Sequence, residues 1–223
     1  MNCLKIETNA VDFQGQTLGS RDIRTDTEEI EPTETVMEKE LSHLQPEQCA
    51  LLVVDIQQRL MPVIDEADRV CRNSALLIKT AKKLGMPILA TTQYAARIGA
   101  PVPEIGAELG KIEPLDKIEF DCFVNAGFLQ SVRALPDSVN TLVVCGVEAH
   151  ICVYQTVLGG LANGYHVWVG GDAVSSRVPF NYQTGLQRMR EMGAIVASTE
   201  MIIYDLLHRA DTPAFKELLP FLK

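Results

Sequence analysis

Ala50-Leu51-Leu52-Val53-Val54 runs without a polar interruption and ends on Asp55. A strand with one wet face alternates apolar and polar residues; an unbroken apolar run is the pattern of a parallel strand covered on both faces. The chain beyond Asp55 keeps to that pattern. Pro62 and Asp65 precede an amphipathic helix over 67–84 stopped by Gly85. Strands are expected at 87–92, 115–118, 141–145, 166–169 and 195–197, with helices between them at 126–135, 150–162 and 181–192. Gln93 to Arg97 reads as a polar loop, with room for a short helix before Pro114. Thr199 is placed to cap a helix over 201–207, and Thr212-Pro213 to open a last one. Strand–helix alternation of this kind predicts an α/β fold, a doubly wound three-layer α/β/α sandwich. Six parallel strands give the order 3-2-1-4-5-6. Strands one and four are then neighbours at the switch point, and ligands bind beyond their carboxyl ends.

The 223 residues suit one large domain or one domain with a tail, and 47% apolar residues suffice for its core. Residues 1–43 differ in kind. They are rich in Asp, Glu and Thr, contain Glu28-Glu29-Ile30-Glu31-Pro32, and hold too little apolar surface to offset the entropy of ordering. They are expected to form a disordered acidic tail, with at most a short helix near 36–41, leaving 44–223 as the folded domain. The tail lacks the apolar segment of a secretion signal and the basic character of a transit peptide. A net charge of −9 argues against nucleic acid or an anionic membrane surface as a partner. Cys3, Cys49, Cys71, Cys122, Cys145 and Cys152 show no CxxC spacing. They are expected to be reduced thiols in a cytoplasmic protein.

Three chemically capable residues fall at the ligand-binding edge of this expected sheet. Asp55 ends strand one, where a carboxylate is costly to bury unless paired. Lys117 ends strand three. Cys152 follows strand four and the turn at Gly146, in the expected first turn of a helix, where unpaired N–H groups and the helix dipole would lower its pKa and could hold an oxyanion. Base, electrostatic stabiliser and nucleophile make a coherent set. Each also has a plain structural reading: Asp55 as a cap, Lys117 as a solvated surface group, Cys152 as a core thiol.

The motifs decide between these. Leu52-Val53-Val54-Asp55-Ile56-Gln57, then Asp116-Lys117 with Phe120, then Gly146-Val147-Glu148-Ala149-His150-Ile151-Cys152-Val153, then Gly171-Asp172-Ala173-Val174-Ser175-Ser176-Arg177, occur in the order and spacing of the isochorismatase-like cysteine hydrolases, which this chain resembles. The resemblance covers roughly residue 45 to the C-terminus. It implies Asp55, Lys117 and Cys152 as a catalytic triad, a cis peptide bond before Glu148, and an oxyanion hole from the backbone N–H groups of Glu148 and Cys152. It implies no cofactor, a small-molecule substrate, and a homo-oligomer.

Two departures narrow the expectation. Nicotinamidase-like members carry an Asp-x-His metal motif after the second strand; here the stretch reads Thr91-Thr92-Gln93-Tyr94-Ala95, so no metal is expected. Isochorismate-cleaving members need no thiol nucleophile, so Cys152 fits amide-like C–N chemistry better than a vinyl ether. An ether- or ester-cleaving enzyme and a non-catalytic small-molecule binder are the alternatives. A dinucleotide-binding oxidoreductase is disfavoured because Ile56-Gln57-Gln58-Arg59 lacks Gly-x-Gly-x-x-Gly. Gln93, Tyr94, Phe120 and Phe123 are candidate substrate contacts. Asp172 and Arg177, bracketing a loop after strand five, are expected to brace loops or a subunit contact, His150 to cap a helix or face solvent, and Cys145 to lie in the core.

Overall fold

A computed structural model describes residues 43–222. The expected acidic tail and its short helix lie outside them, apart from His43. Six strands form one all-parallel sheet: β1 (Cys49–Val54), β2 (Ile88–Gln93), β3 (Leu115–Lys117), β4 (Thr141–Val147), β5 (His166–Ser175) and β6 (Ile195–Ala197). Their spatial order is β3-β2-β1-β4-β5-β6, the doubly wound arrangement expected from the pattern. Every residue of β1 is buried, because alternate side chains serve two cores. Cys49, Leu51 and Val53 face α1 (Ala67–Leu84), α3 (Pro103–Leu109), α7 (Thr199–Leu207) and α8 (Pro213–Leu218). Ala50, Leu52 and Val54 face α4 (Ala126–Arg133), α5 (Tyr154–Ala162) and α6 (Pro179–Glu191). The unbroken apolar run is thus what two covering layers require.

Several boundaries differ from the expectation. The stretch read as a polar loop contains a single helical turn, α2 (Ala95–Ile98), entered through Tyr94 at φ 45°. β5 does not stop at Val169; it continues through Gly170-Gly171-Asp172 to Ser175. Its pairing with β4 steps from Val144↔Val169 to Gly146↔Val174, a bulge that no period-2 pattern announces. α7 begins at Thr199, not after it: the cap is Ser198, whose side chain accepts from the Met201 N–H. Thr212 does cap α8, and Gly85 closes α1 at φ 72°.

Gly146 sits where β4 runs against β1. A Cβ added there would clash with the Val54 carbonyl oxygen, and φ is +125°. Gly146→Ala is therefore expected to cost on the order of 4 kcal/mol or more. The urea midpoint and soluble yield of the variant measure it; a stability within about 1 kcal/mol of the parent would refute so close an approach.

Candidate active site

Asp55 terminates β1 in the left-handed region, φ 53°, a conformation Asp tolerates better than most residues. The turn swings its carboxylate under the end of β2 and β3. Parallel pairing sets Val54 beside Thr91 and Gln93 beside Lys117, so three adjacent strands end at one level. Lys117 Nζ donates to Asp55 Oδ2 at 2.8 Å, and both side chains are fully buried. Burial by itself pushes the Lys117 ammonium down, but Asp55, with smaller help from the Cys122 and Cys152 sulfurs, holds it above the ordinary lysine value. The pair is a charged centre inside the apolar edge of the sheet, the kind of arrangement that costs much to desolvate and costs more to break.

Cys152 does not sit in the first turn of an ordinary α-helix. Ala149–Val153 form a π-helical turn before α5 begins. The Glu148 carbonyl accepts from Ile151 N–H at 3.0 Å and Val153 N–H at 3.2 Å, stepping over the N–H of Cys152. The Val147–Glu148 peptide bond at its entrance is cis. The Cys152 sulfur is directed at the buried pair and lies 4.0 Å from Gln93 Oε1. The residue is buried, 7% exposed.

The expectation of a lowered thiol pKa is not met. Burial, followed by the adjacent Asp55 carboxylate, pushes Cys152 up to about 12, and the opposing pull of Lys117 is too small to reverse this. Desolvation outweighs the helix terminus because the turn is packed into the core. At rest Cys152 is a neutral thiol beside Asp55, donating to Gln93 Oε1 at 4.0 Å. Cys49 and Cys145 are likewise pushed to about 12 and Cys122 to about 11, chiefly by burial. Raised thiol pKa values favour the folded state while the unfolded thiols are still protonated. That contribution is complete below pH 9 and is lost as pH climbs from 9 through 11 to 12. Urea midpoints that hold level from pH 7 to about 9 and fall beyond it are the expected outcome; a midpoint unchanged at about pH 10.5 would contradict it.

The other residues singled out from the sequence divide. Gln93 is at the centre: its Oε1 accepts from Lys117 Nζ at 2.8 Å and its Nε2 donates to the Ile118 carbonyl at 2.6 Å. Tyr94 and Phe120 lie on the exposed rim. Phe123 is buried, edge-on to Phe128, and belongs to the core rather than to a pocket wall. Cys145 is fully buried core. Asp172 lies within β5, not in a loop after it, and accepts from Thr199 N–H and Oγ1, tying β5 to the start of α7. Arg177 binds Glu148, its N–H and Nε reaching the carboxylate at 2.9–3.1 Å, so it braces the residue after the cis bond. His150 neither caps a helix nor faces solvent. It is half-buried, with Nδ1 2.9 Å from Ser176 Oγ and Nε2 3.3 Å from Asn181 Nδ2, linking the π-helical turn to the end of β5 and to α6. Since the Asn181 amide nitrogen can only donate, Nε2 accepts and Nδ1 carries the proton.

Two contributors went unnoticed in the sequence. Thr91 Oγ1 donates to Asp55 Oδ1 at 2.8 Å. Gln57, fully buried, accepts from Gln93 N–H at 2.7 Å and donates to the Gln93 and Gly99 carbonyls. The available signal was Thr91 and Gln93 at i and i+2 on a strand leading into the site. Among the described residues no group of three or more His, Cys, Asp or Glu side chains is placed to hold a metal ion. An apolar groove along α1, lined by Cys71, Ala75, Leu76 and Phe221, touches none of these residues.

Comparison with known proteins agrees with this architecture. Residues 49–201 match the isochorismatase domain model. The secreted isochorismatase effector Isc1 of Phytophthora sojae is 34% identical over 188 residues, covering 83% of this chain and 89% of the relative. Isochorismatase domain-containing protein 2A of Mus musculus is 34% identical over 183 residues, covering 82% and 86%. Among solved structures, the MAR1 ribonuclease from Caenorhabditis elegans superposes with a TM-score of 0.75 at 30% identity, covering 81% of this chain and 92% of that one. The domain match takes in β1, β3, the cis bond, the π-helical turn and all of β5, and with it this chain belongs to the isochorismatase family.

Proposed function

We propose that the protein is a cysteine-nucleophile hydrolase acting on a small amide-like substrate, with Asp55, Lys117 and Cys152 as its reacting groups. The observation that carries the reading is the fully buried 2.8 Å pair of Lys117 and Asp55, beside a thiol that donates at 4.0 Å to Gln93 Oε1, the same oxygen that Lys117 Nζ meets. A buried ion pair whose carboxylate also meets a thiol is expensive as scaffolding and useful as a proton acceptor. Asp55 takes the Cys152 proton as Sγ attacks the carbonyl carbon, forming the S–C bond. The carbonyl oxygen becomes an oxyanion, received by the backbone N–H groups of Glu148 and Cys152. Collapse breaks the C–N bond, Asp55 returns the proton to the departing amine, and a thioester remains on Cys152. Asp55 then deprotonates a water that attacks the thioester, releasing the acid and restoring the thiol. Lys117 remains an ammonium throughout and offsets negative charge on sulfur and oxygen.

With a pKa of about 12, Cys152 at pH 7 is thiolate in only about one molecule in 10⁵. Its reactivity must therefore come from Asp55. Iodoacetamide is expected to alkylate Cys152 near neutral pH faster than Cys49, Cys122 or Cys145, read by mass spectrometry of peptides. Equal rates at all four would favour the non-catalytic binder. A screen of small amides, ureas and hydroxamates for ammonia or acid release, with Cys152→Ala as blank, identifies the substrate class; release of acid from esters or ethers alone would favour the alternative chemistry.

We also propose a homo-oligomer that covers the apolar rim of this edge. Ile118, Phe120, Val124 and Phe180 are 70%, 53%, 65% and 72% exposed, a concentration of large apolar side chains around the strand ends. Light scattering on the eluting peak should give a multiple of 24.6 kDa; a monomer mass would remove the proposal.

A further inference from the structure

β2 supplies none of the three reacting groups, yet it lies between the strands that supply two of them. We infer that Thr91 and Gln93 are positioning residues, Thr91 for the Asp55 carboxylate and Gln93 for the Lys117 ammonium. The inference rests on the cysteine-hydrolase reading and deepens it.

Residues two apart on a strand share a face, so Thr91 and Gln93 point the same way. Thr92 between them turns to the opposite side and donates to Asp116 Oδ1 at 2.9 Å. β2 therefore presents two polar groups to the site at the spacing of its pleat. Asp55 has one close partner per oxygen: Thr91 Oγ1 at 2.8 Å from Oδ1 and Lys117 Nζ at 2.8 Å from Oδ2. An ionised carboxylate only accepts, so the Thr91 hydroxyl must donate. The two partners respond differently when Asp55 takes the Cys152 proton. An ammonium cannot accept a hydrogen bond, so the oxygen facing Lys117 stays bare. A hydroxyl can rotate from donor to acceptor without moving the backbone. Thr91 is thus the partner that accommodates both protonation states while fixing the carboxylate plane.

Gln93 has one workable orientation. With Oε1 on Lys117 Nζ and Nε2 on the Ile118 carbonyl, a flipped amide would set NH₂ against an ammonium and oxygen against oxygen. Its backbone is held as well: Gln57 Oε1 accepts from the Gln93 N–H at 2.7 Å, and Gln57 Nε2 donates to the Gln93 and Gly99 carbonyls at 3.2 and 2.7 Å. Both ends of the Gln93 amide are engaged by the protein, and Oε1 also accepts from Cys152 Sγ at 4.0 Å, so this position orients Lys117 and the thiol and is not the substrate contact suggested by the sequence.

The test tracks the pH dependence of iodoacetamide alkylation at Cys152 in the parent, Thr91→Val and Thr91→Ser. Steady-state hydrolysis of 4-nitrophenyl acetate by Gln93→Met accompanies it. Losing the hydroxyl makes Asp55 hold its proton more tightly, so the acidic limb in Thr91→Val is expected to move upward by about one pH unit. Thr91→Ser should return it to the parental position. Gln93→Met should lower kcat by roughly tenfold or more with KM within about threefold, the signature of an interaction that matters in the transition state. Superimposable limbs for Thr91→Val and the parent would overturn the role of Thr91, as would failure of serine to restore the profile. A raised KM with kcat retained would make Gln93 a substrate contact instead. Should Thr91→Val not fold, Thr91→Ala, which also lacks the hydroxyl, is read in its place against Thr91→Ser. Failure of the underlying reading looks different: Cys152 in the parent would alkylate no faster than the buried thiols, and Cys152→Ala would hydrolyse the ester at the parental rate.

Discussion

Cys152→Ala is expected to eliminate hydrolysis, lowering kcat/KM by about 10³-fold or more, while leaving the fold intact. The loss is large because no other described nucleophile is in place to inherit the role. Cys49 and Cys145 are core side chains of the sheet, and Cys122, also fully buried, belongs to the core on the α4–α6 face. The fold survives because the substitution removes one sulfur from a 7% exposed position and keeps an apolar residue in the turn. A stability change within about 1.5 kcal/mol is expected. The measurement is paired: activity against the best amide of the screen, and a urea unfolding curve on the same preparation. Hydrolysis at the parental rate would end the nucleophile assignment. A variant that is inactive because it is unfolded would show a lost cooperative transition.

Asp55→Asn is expected to damage both chemistry and fold, which distinguishes it from the cysteine variant. The amide cannot take the Cys152 proton, so alkylation at neutral pH and hydrolysis should both fall by about 10²-fold or more. It also leaves the Lys117 ammonium fully buried without its counter-charge. Breaking one side of a buried pair costs on the order of 3–5 kcal/mol. Replacing both members with neutral groups, as in Asp55→Asn combined with Lys117→Met, should recover much of that stability and none of the activity. Equal stability of Asp55→Asn and the parent in urea would mean that the pair is not charged as described. Recovery of activity in the double variant would remove both residues from the mechanism.

The contrast between Asp55 and Cys152 indicates how much of this site was legible in the sequence. Asp55 and Lys117 could be placed because each ends a strand, and strand ends of a doubly wound sheet meet at one edge. Val54↔Thr91 and Gln93↔Lys117 are the register that delivers this. The thiol could be located but its protonation could not. A helix start after Gly146 argued for a lowered pKa, whereas the real turn is π-helical and packed into the core, so burial sets the direction. Position alone suggests Gln93 and Phe123 as pocket residues. One is engaged at both ends of its amide by the protein, and the other packs on Phe128.

Residue pattern alone determined the layers and the strand order of this protein, and hence which side chains gather at the carboxyl edge. Burial periodicity is a local property, and a chain that alternates apolar strands with amphipathic helices has few ways to cover both faces of its sheet. Only the tertiary structure decided the length of β5, the orientation of the Gln93 amide, the hydroxyl of Thr91 on Asp55 and the neutral resting state of Cys152. Each of these depends on groups brought together from β1, β2, β3 and the turn after β4. Desolvation and hydrogen-bond geometry are sums over such neighbours in space, and no window along the chain contains them.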